Sequence, residues 1–184
     1  DQLVILSTAP GLIDLKGKGF FASPARGFGT SISAESYDHY WVDHGYGCPS
    51  PISGDGASSR GWYQGAGGGG YGSAGQRGEG SDCGGNGGNS YGTEDLSLVH
   101  LGSGGGASSW FDGGRGGGAL LLFATSLRID GAISVDGGNG QRAYAVRCSV
   151  NDCNPNGGGG GSGGSLLITA RDANIGNGLV TALG

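Results

Sequence analysis

The chain has 184 residues, 47 of them Gly, with 35% hydrophobic and 14% charged residues and a formal net charge of −5 at pH 7. That length fits one domain, while the scarcity of large apolar side chains excludes a thick globular core and the modest charge excludes a polyelectrolyte coil. Ten Lys and Arg scattered along an acidic chain argue against nucleic acid and anionic surfaces as partners, and no apolar run approaches the roughly 20 residues of a membrane helix.

The first stretch, "LVILSTAPGLIDLKGKG" (3–19), reads as a short apolar strand, a small-residue corner, and an alternating Ile13 and Leu15 ending in glycines. No basic-then-apolar leader opens the chain, and its start at Asp1 is compatible with a mature product. Residues 35–60 read as a surface insertion. Within it "DHYWVDH" holds Asp38, His39, Asp43 and His44, with Glu35 nearby. Histidine and carboxylate are common metal ligands, but in a strand this odd spacing puts the two histidines on opposite faces. A polar, aromatic-rich loop without metal is the expectation.

Residues 61–118 carry 24 of the 47 glycines and are the most linker-like by composition. They also hold Trp62, Tyr63, Tyr71, Tyr91, Trp110 and Phe111, which flexible linkers lack. The segment "GEGSDCGGNGGNSYG" has a faint likeness to calcium-binding glycine-rich nonapeptides, yet the Asp needed at a fixed position recurs only as Asn or not at all. No cofactor is expected.

Residues 119–184 contain a repeat. "GALLLFATSLRIDGAISVDGG" (118–138) lies over "GSLLITARDANIGNGLVTALG" (164–184) at a constant offset of 46 without a gap, so Leu120 falls on Leu166, Leu122 on Ile168, Ile129 on Ile175 and Ile133 on Leu179. Leu127, Ile129, Ile133 and Val135 alternate with Arg128, Asp130, Ser134 and Asp136, as in a strand with one buried face. Leu120, Leu122 and Ala124 carry the other parity, which predicts a corner at Thr125–Ser126. No ten-residue stretch supports a helix.

These features predict an all-β single domain over 1–184: a glycine-rich right-handed parallel β-helix (β-solenoid) with long glycine-rich, polyproline-II-like loops, with 119–184 as two coils and 61–118 as packed glycine. In that fold the runs 67–70, 104–106 and 157–161 lie against neighbouring backbone in polyproline-II-like conformation, because backbones approach closely only where no Cβ intervenes.

The order "NSYG" (89–92), "LGSGGG" (101–106), "GGGALLLFATSLRIDGAISVDGGNG" (116–140), "GGGSGGSLLITA" (159–170) and "IGNGLVTALG" resembles the glycine-rich parallel β-helix repeats of large secreted and cell-surface proteins. The resemblance covers residues 89–184. It implies that fold and an extracellular setting, and little about activity.

Cys48, Cys83, Cys148 and Cys153 sit among loop-type residues without the spacing of a zinc site. Two disulfides are expected, Cys148 with Cys153 and Cys48 with Cys83 favoured among three possible pairings, which again implies secretion or the cell surface. No nucleophile elbow, zincin motif or phosphate loop is present. Asp130 and Asp136 project outward from one repeat but give way to Gly176 and Ala182 in the other, so no carboxylate ladder forms and no enzyme is expected. Six Thr without a Thr-x-Thr row exclude a flat ice-binding face.

The expected function is structural: an extracellular subunit of a homopolymeric filament or surface scaffold. Strand-like segments near both ends, without caps, point to end-to-end stacking, with Leu3, Ile5, Leu179 and Leu183 at the junction. The alternative is a carbohydrate-binding or adhesion module that presents Trp41, Trp62, Trp110 and the tyrosines to surface glycans.

Overall fold

The computed structural model describes residues 2–5, 13–24, 56, 65–79, 84–108, 110–142, 157–176 and 180–184. Six strands occur among them: β1 (Gln2–Ile5), β2 (Ile13–Asp14), β3 (Ala119–Ile129), β4 (Ile133–Ser134), β5 (Ser165–Ile175) and β6 (Val180–Thr181). They form two three-stranded sheets, ordered β1-β3-β5 and β2-β4-β6, and every pairing is parallel. No described residue is helical.

The repeat is the register of the longest ladder. Leu120 pairs with Leu166, Leu122 with Ile168 and Ile129 with Ile175. The second sheet departs from it by one residue, since Ile133 pairs with Val180 and not with Leu179. The N-terminal stretch supplies the third strand of each sheet, Leu3 opposite Leu127 and Ile13 opposite Ile133. Instead of two strands meeting at a corner, β3 runs unbroken through Thr125–Ser126. The parity still switches there: Leu120, Leu122 and Ala124 are half-buried, then Leu127 and Ile129 are buried. The ladder passes from Ala124↔Ala170 directly to Ser126↔Asp172.

Leu127, Ile129 and Ile133 form the apolar centre, with Ile13, Leu120, Leu122, Leu166, Ile168 and Val180 packed round it. A core this small, drawn from both sheets, is what the composition allows.

The larger part of the described chain lies in no strand. Segments 19–23, 65–70, 75–79, 84–88, 102–106, 113–118, 137–141 and 157–164 lie side by side, and their backbone hydrogen bonds recur every third residue. Gly65 and Gly68 donate to Glu79 and Gln76; Ala66 and Gly69 donate to Gly157 and Gly160; Gly102 and Gly105 donate to Gly117 and Gly114. Three residues per turn, with no internal hydrogen bonds, is the period of polyproline II, in which successive backbone groups point about 120° apart, so that one segment's N–H and C=O groups reach different neighbours. The neighbours are main chain: a Cβ on Gly116 would overlap the Gly102 carbonyl oxygen, and one on Gly159 the Gly67 carbonyl oxygen. These glycines are packed structure, not tether.

This corrects the right-handed parallel β-helix expected from the sequence. A solenoid builds its coils from strands, whereas here parallel pairing is confined to two small sheets, four of whose six strands have only two to four residues. The glycine-rich segments are not loops hung on coils either. A chain without Cβ gains nothing from a pleated ladder that buries alternate side chains, and it satisfies its backbone in three directions at once.

Candidate functional site

Two features stand out. The first is the open end of the sheets. At the C-terminal end of β3 the inward side chains are sealed: Leu127 is 2% exposed and Ile129 0%. Their register partners on β5 are Ala173 and Ile175, both exposed, Ile175 to 40%. The sequence is similar; the difference is position. β3 has a strand on each side, while β5 has no ladder on its outer edge among the described residues. On the outward face Leu121 and Phe123 are also exposed. In the second sheet β6 holds the corresponding outer position.

Asp136 pins this end together. Its carboxylate accepts from the Leu183 N–H (2.7 Å), the Thr181 hydroxyl (2.9 Å) and the Ser134 hydroxyl (2.9 Å). Partial burial pushes the carboxyl up, but the Leu183 N–H, the two hydroxyls and the Lys16 charge outweigh it and hold the group below its ordinary value. Asp136 is thus tied to residues 181–183, where the sequence suggested a carboxylate that projects outward. Asp130 is the exposed one, paired with Arg128 at 2.8 Å.

The second feature joins the glycine-rich body to the first sheet. Ser165, the buried first residue of β5, donates to the His100 carbonyl (2.7 Å), receives the His100 N–H (3.2 Å) and shares a hydrogen bond with the Tyr71 hydroxyl. Tyr91 donates to the Leu101 carbonyl (2.5 Å) and accepts from Ser103 (2.9 Å), and its ring lies 4.9 Å from Tyr71 and 5.9 Å from His100. Ser103 N–H in turn donates to Ser162 (2.8 Å). Each member is an isolated Tyr, Ser or His in a glycine-rich background, so no spacing marks it in the sequence. Beside Tyr71 runs a groove of about 670 Å³, floored by glycine segments 68–69 and 160–164.

Of the four residues expected at the junction, Leu3 and Ile5 lie on β1, at one edge of the first sheet, and their register places them opposite Leu127 and Ile129. Leu183 follows β6, at the opposite end, and is exposed. Leu179 lies outside the described residues, as do Cys48, Cys83, Cys148 and Cys153, the Glu35, Asp38, His39, Asp43 and His44 segment, and Trp41 and Trp62. Trp110 is described and exposed. Among the described residues no three His, Cys, Asp or Glu converge as a metal site, and no helix is long and apolar enough to cross a membrane. Compared with protein-family models, with curated proteins and with solved structures, the chain matches none.

Proposed function

We propose that this chain is an extracellular structural protein, a subunit that adds head to tail to copies of itself to form a filament or surface scaffold. The observation that carries the reading is the edge of β5, which bears no further strand among the described residues and where Ala173 and Ile175 continue the parity of the buried Leu127 and Ile129 but stay exposed. An exposed strand edge beside uncovered apolar side chains is a template for another strand. The two sheets share strand order and polarity, with β5 and β6 outermost at one end and β1 and β2 at the other. One copy set on the next therefore extends both sheets with parallel pairing, and a contact between unlike ends does not close on itself unless it forms a ring. The partner is a second copy, and the reading assigns no catalysis and no cofactor.

The test is sedimentation and electron microscopy over rising protein concentration. Polymers are expected from the native chain, and Ile175→Lys, at an already exposed position, should shorten or abolish them while thermal unfolding stays unchanged. A monomer at every concentration overturns the reading. Non-reducing mass spectrometry probes the setting, with no free thiol expected at Cys48, Cys83, Cys148 and Cys153. A second reading, a carbohydrate-binding or adhesion module, is favoured by the exposed Trp110 ring, and a glycan array separates it from the first.

A further inference from the structure

Tyr71, Tyr91, Gly92, Glu94 and Leu96 line a second hollow, of about 420 Å³. Its walls follow from the packing of the array. Tyr91 N–H donates to the Tyr71 carbonyl at 2.8 Å, so the two tyrosines stand side by side, and their ring centroids lie 4.9 Å apart with a tilt of 60°. Gly92 comes next with φ +85°, and a Cβ there would stand 2.8 Å from Tyr71 Cε2. The positive φ and the neighbouring ring both call for glycine. The chain then turns: Leu96 N–H donates to the Thr93 carbonyl (3.1 Å) and Ser97 N–H to the Asp95 carboxylate (3.0 Å), with Leu96 itself in the left-handed region at φ 50°. That turn places exposed Glu94 and half-buried Leu96 in the wall. The hydroxyl ends of both rings are engaged elsewhere. Tyr71 shares its hydrogen bond with Ser165, and Tyr91 donates to the Leu101 carbonyl and accepts from Ser103, both serines being buried. The Thr93 hydroxyl is engaged with that of Ser97 (3.1 Å). A ligand therefore meets aromatic carbon, the Leu96 side chain, the Ser90 hydroxyl and a single charge, the Glu94 carboxylate, which no described residue pairs as an ion. Among the described residues no Lys, Arg or His stands in this lining.

We propose that this hollow binds a quaternary ammonium group. The face of an aromatic ring carries the negative part of its quadrupole and attracts a cation laid over it, and a carboxylate beside the rings adds a charge of the right sign. A primary ammonium is strongly hydrated and carries three N–H donors that need acceptors. With the tyrosine and Thr93 hydroxyls already engaged, the hollow cannot replace that water. A fully methylated nitrogen has no N–H group and needs only apolar contact and negative potential, which are what the two rings, Leu96 and Glu94 supply. A sugar requires several converging hydrogen-bonding groups, and the same engaged hydroxyls withhold them. The hydrogen bonds from the ring hydroxyls into the array fix both rings before any ligand arrives, so little ordering accompanies binding. Free small molecules and choline lipid headgroups carry the same group.

The probe is choline, titrated into the isotope-labelled full chain while the Tyr71 and Tyr91 ring signals are followed. Saturable shifts at millimolar choline are expected. Its uncharged tert-butyl analogue, in which carbon replaces the nitrogen, has the same shape and should bind about tenfold more weakly; ethanolamine, with the charge but three N–H groups, should also bind more weakly than choline. Glu94→Gln changes an exposed position, so it should weaken choline severalfold and remove most of the salt dependence of binding, with the unfolding temperature and the response to the uncharged analogue unchanged. Phosphatidylcholine vesicles distinguish the sources of the group. Co-sedimentation with them and not with phosphatidylglycerol vesicles assigns it to a lipid headgroup, and choline binding without co-sedimentation assigns it to a free molecule; either result supports the site. Equal binding of choline and its uncharged analogue by the native chain overturns the proposal and needs no variant to be folded. So does equal binding of choline and ethanolamine, the absence of any saturable shift with choline, or a saturable response of the same rings to cellohexaose with none to choline.

Discussion

Ile133 in the sheets and Gly159 in the glycine-rich body are both buried, for opposite reasons. Ile133 is 0% exposed because side chains from both sheets close over it. Gly159 is buried because main chain does: its N–H reaches the Gly106 carbonyl at 2.9 Å, its carbonyl receives Gly114 at 2.8 Å, and the Gly67 carbonyl occupies the place of a Cβ. In one region burial removes apolar side-chain area from water; in the other it satisfies backbone polar groups at close approach. A sheet core is therefore damaged by taking atoms away, and the glycine-rich body by adding them. A chain with so few large apolar residues holds together because its glycine-rich interior needs none.

The sharpest break of this contrast is Gly159→Val. No rotamer removes the overlap, since the obstacle is a backbone oxygen hydrogen-bonded to Gly106 N–H at 2.9 Å. The expected cost exceeds about 4 kcal/mol, read as loss of a cooperative unfolding transition in calorimetry. Ile133→Ala tests the other region. It opens a cavity under Ile13 and Val180 and should cost about 3 kcal/mol, with the transition kept and its midpoint lowered. Tolerance of Gly159→Val beside intolerance of Ile133→Ala would invert the comparison.

The two regions differ in the same way in how far the sequence discloses them. The sheets announced themselves: alternation of Leu127, Ile129, Ile133 and Val135 marked a strand face, and a constant offset of 46 gave the β3–β5 register before any pairing was known. The one-residue slip at Val180 was not visible, because Leu179 and Val180 are both apolar and either fits beside Ile133. In the glycine-rich body composition showed that backbones pack but not which ones, since a run of identical glycines carries no register. That ambiguity turned a packed array into the loops of an expected β-helix. The Tyr71, Tyr91, His100 and Ser165 network was hidden for a related reason: its members are up to 94 residues apart and meet only once the array is built.

A smaller effect is expected where the regions meet. Asp136 extends β4 and holds Thr181 and Leu183. Folding lowers its pKa, so its contribution is complete above the ordinary value of 3.8 and is lost as pH falls from there through the folded pKa. Asp136→Asn keeps the shape and removes the charge. It should cost about 1 kcal/mol at neutral pH and flatten the acid limb of the stability profile below about pH 4. An acid limb identical to that of the native chain would show that another carboxylate governs it.

The smallest expected effect sharpens the comparison most, because it lies one residue from the largest. Gly160 is half-buried beside Gly159, yet a Cβ there meets nothing closer than 3.9 Å. Its backbone is not in the left-handed region, which among the described residues Gly17, Gly92 and Leu96 occupy. Alanine therefore fits without strain. It also restricts the unfolded chain, and that effect stabilises by about 0.5 kcal/mol where the native conformation is compatible. Gly160→Ala should leave the unfolding midpoint level or slightly raised, while the same change at Gly159 lowers it steeply. Amide exchange repeats the contrast without mutation: Gly159 N–H is bonded and should exchange slowly, and Gly160 N–H, facing the groove, should exchange quickly. If Gly160→Ala were as damaging as Gly159→Ala, burial class and not direction would govern these glycines, and the three-residue logic of the array would fail.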